Sequence, residues 1–264
     1  SVCNAYLFNR KLLNLYQGKK MERKALMPLN SQHTWVICAY GESQYLEACI
    51  QSLKNQTLTS KIICYTSTPL TSIYEICGKY DIPVHHKTGG GIGRDWNQAL
   101  SFVTTKYATI AHQDDYYEPK FLEKTLEAFE AHQDGLITFT DYFEEKNKLF
   151  EEMFKEFIEE KIEKIKNGED LMLSNYQNKE DFIDVLAFGN PICCPAVSYN
   201  LEKLKDFQFD EEMRVSLDWY AWYKINEYKG SFLYIPEALM CHRIHQESET
   251  TKTISDNTRT KEDL

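Results

Sequence analysis

Between residues 33 and 142, short apolar runs alternate with stretches whose apolar residues recur at helical spacing. "HTWVICAY" (33–40) stops before Gly41 and predicts a buried first strand. "SQYLEACIQSLKNQT" follows, with Leu46, Cys49, Ile50 and Leu53 on one helical face and Ser43 placed to cap it. "SKIICYTS" (60–67) predicts a second strand, "PLTSIYEICGKY" a second helix with Gly78 near its end, and "IPVHHK" a third, shorter strand. "TGGGIGRDWNQALSFV" (88–103) passes from glycines into a helical pattern through Trp96, Ala99 and Leu100. "YATIAHQ" predicts a fourth strand and "GLITFTDYF" a fifth. Between them "EPKFLEKTLEAFEAH" predicts a helix with Pro119 in its first turn, where proline is tolerated. This alternation with short links predicts an α/β fold, a mostly parallel sheet covered by helices on both faces. Ligands in such sheets bind beyond the carboxyl ends of the strands, which places Tyr40, Thr66, Ser67, Thr68 and residues 112–115 along one rim.

After residue 142 the pattern changes. Phe150, Met153, Phe154, Phe157, Ile158, Ile162 and Ile165 share one helical face. The stretch carries more Glu than Lys, which favours packing on its own domain over anionic lipid. Pro191 and Pro195 break regularity around Cys193 and Cys194. "SLDWYAWYKINEY" predicts an aromatic helix, and "GSFLYIPEALMCHRIHQES" a closing strand followed by a loop rich in His and Arg.

The 264 residues, 42% of them hydrophobic, suffice for one large domain or one domain with an appendage. No apolar run approaches the ~20 residues of a membrane span, and "SVCNAYLFNRKLL" lacks the apolar stretch and cleavage site of a signal peptide. A net charge of -10 disfavours a broad nucleic-acid-binding face. The charge is uneven, with Arg10, Lys11, Lys19, Lys20, Arg23 and Lys24 opposed only by Glu22 in residues 1–30. That segment reads either as a solvated helix on the domain edge or as a contact for an anionic membrane surface or acidic partner. The 8 cysteines include no C-x-x-C pair, so the expectation is a reducing cytoplasm without a disulfide framework.

Four groups of residues carry candidate chemistry. Asp114 and Asp115 follow a strand on the ligand rim; adjacent carboxylates there suit a hard divalent cation, or a solvated turn in which Asp115 caps the next helix. Arg94 opens a helix after Gly89–Gly91, where it could meet a phosphate or a base. His242, Arg243 and His245 fall within one predicted loop and suit a diphosphate, with His also able to ligate metal. Asp218 starts a helix among Trp219, Tyr220 and Trp222; such a carboxylate serves as a base when desolvated, or simply favours the helix dipole.

Taken in order, "ICAYGESQYLEACIQSLKNQT", "GGGIGRDWNQAL", "IAHQDDYYEPKFL", "SLDWYAWYKI" and "CHRIHQES" make the chain resemble a bacterial-type, inverting family 2 glycosyltransferase with the GT-A fold. The resemblance covers roughly residues 33–250. It implies a nucleotide-sugar-binding half 33–142 and an acceptor-side half 143–250 with a helical insertion, which leaves the basic segment 1–32 and a polar tail 251–264 on either side. It implies donor contacts from Ala39, Tyr40, Glu42, Thr66, Ser67, Arg94, Asn97, Gln113, Asp114 and Arg243. Mn2+ or Mg2+ would sit on Asp115 and His245, and Asp218 would be the base. The implied donor is a UDP-sugar and the acceptor a glycan or lipid-linked hydroxyl, in cell-surface polysaccharide or glycoconjugate synthesis. The implied location is the cytoplasm, at the inner face of the membrane if the basic segment binds it. Where the pattern has an Asp and a Glu, this chain has His112 and Leu217, and its second strand ends in "YTSTP" without an acid. The competing readings are a sugar-phosphate nucleotidyltransferase and a catalytically silent nucleotide-sugar-binding module.

Overall fold

The computed structural model describes residues 29–146, 190 and 192–245. The basic segment before residue 29, the apolar face from Phe150 to Ile165 and the tail 251–264 lie outside the described residues. The elements in chain order are β1 (His33–Ala39), α1 (Leu46–Lys54), β2 (Lys61–Thr66), α2 (Thr71–Lys79), β3 (Val84–His86), α3 (Ile92–Ser101) and β4 (Tyr107–His112). Then come β5 (Tyr116–Tyr117), α4 (Phe121–Ala131), β6 (Gly135–Lys146), β7 (Val197–Asn200), α5 (Leu217–Ile225) and β8 (Ser231–Ile244).

The strands form one 8-stranded sheet in the order β3-β2-β1-β4-β7-β6-β8-β5. β1 pairs parallel with β2 and with β4, and β2 pairs parallel with β3. β7 then runs antiparallel to both β4 and β6, whereas β6 and β8 are parallel and β5 is antiparallel to β8. β1 is the point from which the chain moves outward first to one side and then to the other, where an open α/β sheet leaves a crevice at its carboxyl edge. Helices cover both faces, as the alternation predicts. Trp35 and Ile37 of β1 point to one side, against Leu46 and Ile50 of α1, Cys77 of α2 and Phe121 and Phe129 of α4. Val36 points to the other, in the cluster with Trp96 of α3, Phe209, and Trp222 and Ile225 of α5.

Local expectations are corrected in three places. Pro119 precedes α4 rather than entering it: its carbonyl accepts from the Thr57 N–H at 2.8 Å, and the helix begins at Phe121. Ser43 accepts from the Tyr45 N–H at 3.2 Å, whereas Tyr45 itself is the N-cap position of α1. His242 and Arg243 belong to β8 and not to a loop, because β6 continues alongside and pairs Glu144 with His242 and Glu145 with Arg243. Gly93 matters to the layout as well. A Cβ there would lie 1.9 Å from the Asp210 carbonyl oxygen, so α3 seats its first turn directly on the 209–211 backbone.

Candidate active site

The turn after β4 carries the acidic pair, and the end of β8 closes over it. Asp115 is buried, and its Oδ1 accepts from the Arg243 N–H at 2.9 Å and lies 3.2 Å from His242 Nδ1. A helix-capping Asp115 is therefore excluded: its carboxylate faces β8, and α4 starts later, at Phe121. Asp114 Oδ2 lies 3.0 Å from His245 Nε2. The Arg243 guanidinium is held on several sides. Its Nη1 donates to the Asp114 carbonyl at 3.0 Å and its Nε to Glu145 at 3.0 Å. The rings of Tyr45 and Tyr116 lie 5.0 and 4.8 Å from its carbon centre, both within cation–π range.

His112 stands on the inner side of this pair. It stacks on Trp96 at 5.3 Å, and its Nδ1 is 3.8 Å from Asp115 Oδ2. Two buried atoms here have no hydrogen-bond partner among the described residues: His112 Nε2 and Asp115 Oδ2. Orphaned buried polar atoms call for an explanation, of which a ligand is one; Trp35, Thr125, Thr138, Tyr199 and Asn200 carry other such atoms away from this turn. His112, Asp114 and Asp115 each offer a ligand atom within 4.8 Å of the others. A neutral imidazole with two carboxylates is a donor set that fits a divalent cation.

The electrostatics agree. Burial lowers the His112 pKa, and the carboxylates of Asp115 and Asp114 only partly oppose it, so the ring is held neutral. At His242 burial works the same way but is outweighed by the hydrogen bond and charge of Asp115, and the pKa rises. Burial raises the Asp114 pKa, but the hydrogen bond from His245 outweighs it and leaves the carboxyl below its usual range.

The remaining expected donor contacts line the carboxyl ends of β1 and β2. Gln113 clasps the end of β1, with Nε2 donating to the Tyr40 carbonyl at 2.8 Å and Oε1 accepting from the Tyr40 N–H at 3.2 Å. Ala39 is buried at the end of β1, Glu42 is exposed, and the Tyr40 ring is 62% exposed, an open platform on the rim. Gly41, at φ 63°, donates its N–H to Thr68 Oγ1 at 2.6 Å, and Thr68 N–H in turn donates to Thr66 Oγ1 at 3.0 Å. Ser67 donates to Asp95 Oδ2 at 2.7 Å, and the same carboxylate accepts from the Tyr65 hydroxyl at 3.3 Å. An acid thus reaches the end of β2 from α3, although the strand itself ends in none. Arg94 is exposed and lies along Gly90. Asn97 is committed to the backbone: it donates to the Phe209 carbonyl at 2.9 Å and accepts from the Phe209 N–H at 2.8 Å.

Asp218, at the start of α5, accepts from the Trp219 N–H at 2.8 Å and from Asn190 Nδ2 at 2.7 Å. At Cys193 burial raises the thiol pKa, and the charges of Asp115 and Asp218 raise it further. Sequence reasoning missed Asn190, Asp95 and Glu145, because each acts on a partner distant in the chain. His112 was visible, but only as a departure from an acidic pattern.

Comparison with known proteins fits this geometry. The model of Glycosyl transferase family 2 matches residues 34–191, more than half of the chain. The chain belongs to that family. An uncharacterized glycosyltransferase of Methanocaldococcus jannaschii is 29% identical over 221 residues, 79% of this chain and 69% of that protein. The chondroitin synthase of Pasteurella multocida is 29% identical over 119 residues; the match takes in 40% of this family 2 chain and 12% of the synthase. Among solved structures, S. aureus TarS 1–349 in complex with UDP-GlcNAc superposes with a TM-score of 0.59 at 12% identity, covering 83% of this chain and 60% of TarS 1–349. The Pyrobaculum calidifontis mannosyltransferase PcManGT, in complex with GDP-Man and Mn2+, gives 0.57 at 12% identity, covering 95% and 68%. These likenesses show the GT-A fold for this family 2 chain. Among the described residues no helix is long and apolar enough to cross a membrane.

Proposed function

We propose that the chain transfers a sugar from a nucleoside-diphosphate sugar, a UDP-sugar by preference, to the hydroxyl of a glycan or lipid-linked acceptor with inversion. The observation that carries the reading is the pair of orphaned buried atoms, His112 Nε2 and Asp115 Oδ2, beside Asp114 at the carboxyl end of the sheet. His112, Asp114 and Asp115 would hold Mn2+ or Mg2+. His245, expected as a ligand, bonds Asp114 and so steadies one of the ligands. A divalent cation at this place supplies positive charge to a departing diphosphate.

The chain's own groups divide the rest of the work. Tyr40, Thr66 and Ser67 receive the nucleoside, with Asp95 as an additional acceptor behind Ser67. Arg243 has Nε and Nη1 engaged by Glu145 and Asp114, which leaves Nη2 for a phosphate oxygen. Asp218 takes the proton from the acceptor hydroxyl as it attacks the anomeric carbon opposite the leaving group, which is what inverts the centre. The acceptor side is formed by residues 143–250, and the pathway is the synthesis of a surface polysaccharide or glycoconjugate.

Titration of the chain with UDP-GlcNAc and with GDP-mannose, each with and without Mn2+, tests this. At 100 times its Kd a bound donor stabilises the fold by about 2.7 kcal/mol. That gain is expected only with Mn2+, and release of the nucleoside diphosphate should follow when an acceptor is added. Pyrophosphate release from a sugar phosphate and a nucleoside triphosphate would instead make the chain a nucleotidyltransferase. Donor binding with no turnover over a broad acceptor panel would make it a binding module.

A further inference from the structure

We infer that Asn190 is a positioning residue for Asp218, setting the direction in which that carboxylate meets the acceptor. The inference rests on the reading of Asp218 as the base.

Asn190 makes three hydrogen bonds, and together they leave its amide one orientation. Its Oδ1 lies 3.1 Å from Trp222 Nε1 and 3.1 Å from the Ile192 N–H. An indole N–H and a backbone N–H are donors only, so the oxygen must face them and the NH2 group must face Asp218. The bond to Asp218 Oδ2, at 2.7 Å, is therefore a donation to the carboxylate. Asp218 and Trp222 are one turn apart on α5, so a single side chain grips that helix at both points. Trp222 is wholly buried, which makes it a rigid anchor.

The segment that follows Asn190 leads to the other acidic centre. Tyr117, two residues beyond Asp115, donates its hydroxyl to the Pro195 carbonyl at 2.8 Å. Asn190 is thus tied to Asp218, and Pro195, close by in the chain, to the Asp115 turn through Tyr117. A shift at Asn190 changes the base's aim and its distance from the diphosphate end of the site. The choice of amide also fits the role. A neutral donor orients the carboxylate and leaves its negative charge in place, whereas Lys or Arg would neutralise the base.

The test compares Asn190→Asp, Asn190→Ala, Asp218→Asn and the double variant Asn190→Ala/Asp218→Asn. Asn190→Asp keeps an acceptor oxygen for Trp222 and Ile192 but sets a second carboxylate 2.7 Å from Asp218, so the pair shares a proton and the base is partly protonated at neutral pH. Misplacing a catalytic group by about 1 Å costs on the order of 10²-fold. Both Asn190 variants should therefore lose about 10- to 100-fold in kcat with donor affinity unchanged, and Asn190→Asp should also move the limb of the kcat–pH profile set by the base upward. The double variant should be no slower than Asp218→Asn alone, since no base remains to be aimed. Full kcat in Asn190→Asp overturns the proposal, as does a double variant slower than Asp218→Asn by the whole Asn190→Ala factor. If Asp218→Asn itself keeps its kcat, the base reading has failed, and the positioning role falls with it.

Discussion

Two histidines stand at opposite ends of the same parallel strands. His33 begins β1, and His112 ends the neighbouring β4. His33 is wholly buried, and both ring nitrogens are met by hydroxyls: Nδ1 lies 2.9 Å from Ser60 Oγ, and Nε2 lies 2.9 Å from Thr109 Oγ1. Thr109 is backed in turn by Ser198 at 2.5 Å. No charge faces the ring, and burial alone pushes its pKa down to about 3. His112 is lowered by burial too, but two carboxylates face it and its Nε2 is left without a partner among the described residues. A satisfied neutral network is what a sheet needs to bury a polar strand end. A buried imidazole left open beside an unpaired carboxylate oxygen is not such a network, and the contrast supports placing the proposed site at that end of the sheet.

The largest expected effect separates the ends outright. Asp115→Asn keeps an oxygen for the Arg243 N–H, so the β8 closure should survive. Metal-dependent turnover should fall by about 10³-fold, since charge stabilisation by a bound cation is worth several kcal/mol. Mn2+-dependent donor binding that persists in this variant would remove Asp115 from the ligand set. A smaller effect belongs to His112 itself. His112→Phe preserves the stack on Trp96 and deletes only the nitrogens. The Mn2+ concentration for half-maximal donor binding should rise about 10- to 100-fold, the range seen when even a ligand's supporting partner is lost. An unchanged Mn2+ curve would make His112 a packing residue like His33.

The smallest effect lies at the other end and reads out in stability. A histidine whose folded pKa lies below its unfolded value binds fewer protons when folded, so stability is lost as pH falls below the unfolded value. For His33 the window runs from 6.5 down to about 3, with a slope of about 1.4 kcal/mol per pH unit. His33→Gln should flatten that part of the acid limb in urea melts taken at several pH values, with donor binding at neutral pH untouched. If the acid limb keeps its slope, His33 is not buried as a neutral base.

Much of the first half was legible in the chain. Each predicted strand from 33 to 112 forms, because links of a few residues and continuously apolar strands leave one way to bury both faces. The acidic pair was legible too, since it interrupts a buried strand. β5 and β7 were not: two tyrosines and four residues after a proline carry no periodic signal, and they become strands only because β8, β4 and β6 offer open edges. The predicted loop at His242–Arg243 failed for the same reason. His and Arg suggest an exposed turn, yet β6 runs long enough to extend the ladder beneath them.

The sequence by itself determined the α/β class, the end of the sheet where the proposed site lies, and the residue types gathered there, because these follow from periodicity and from where polarity cuts into apolar runs. Only the tertiary structure decided the partners. It turned Asp115 toward the Arg243 backbone and brought His112 in beside the acids. It also set Asn190 against Asp218, 28 residues away in the chain, and tied Asn97 to Phe209. A carboxylate's role depends on what lies within about 4–6 Å of it, and for these groups those neighbours come from distant parts of the chain.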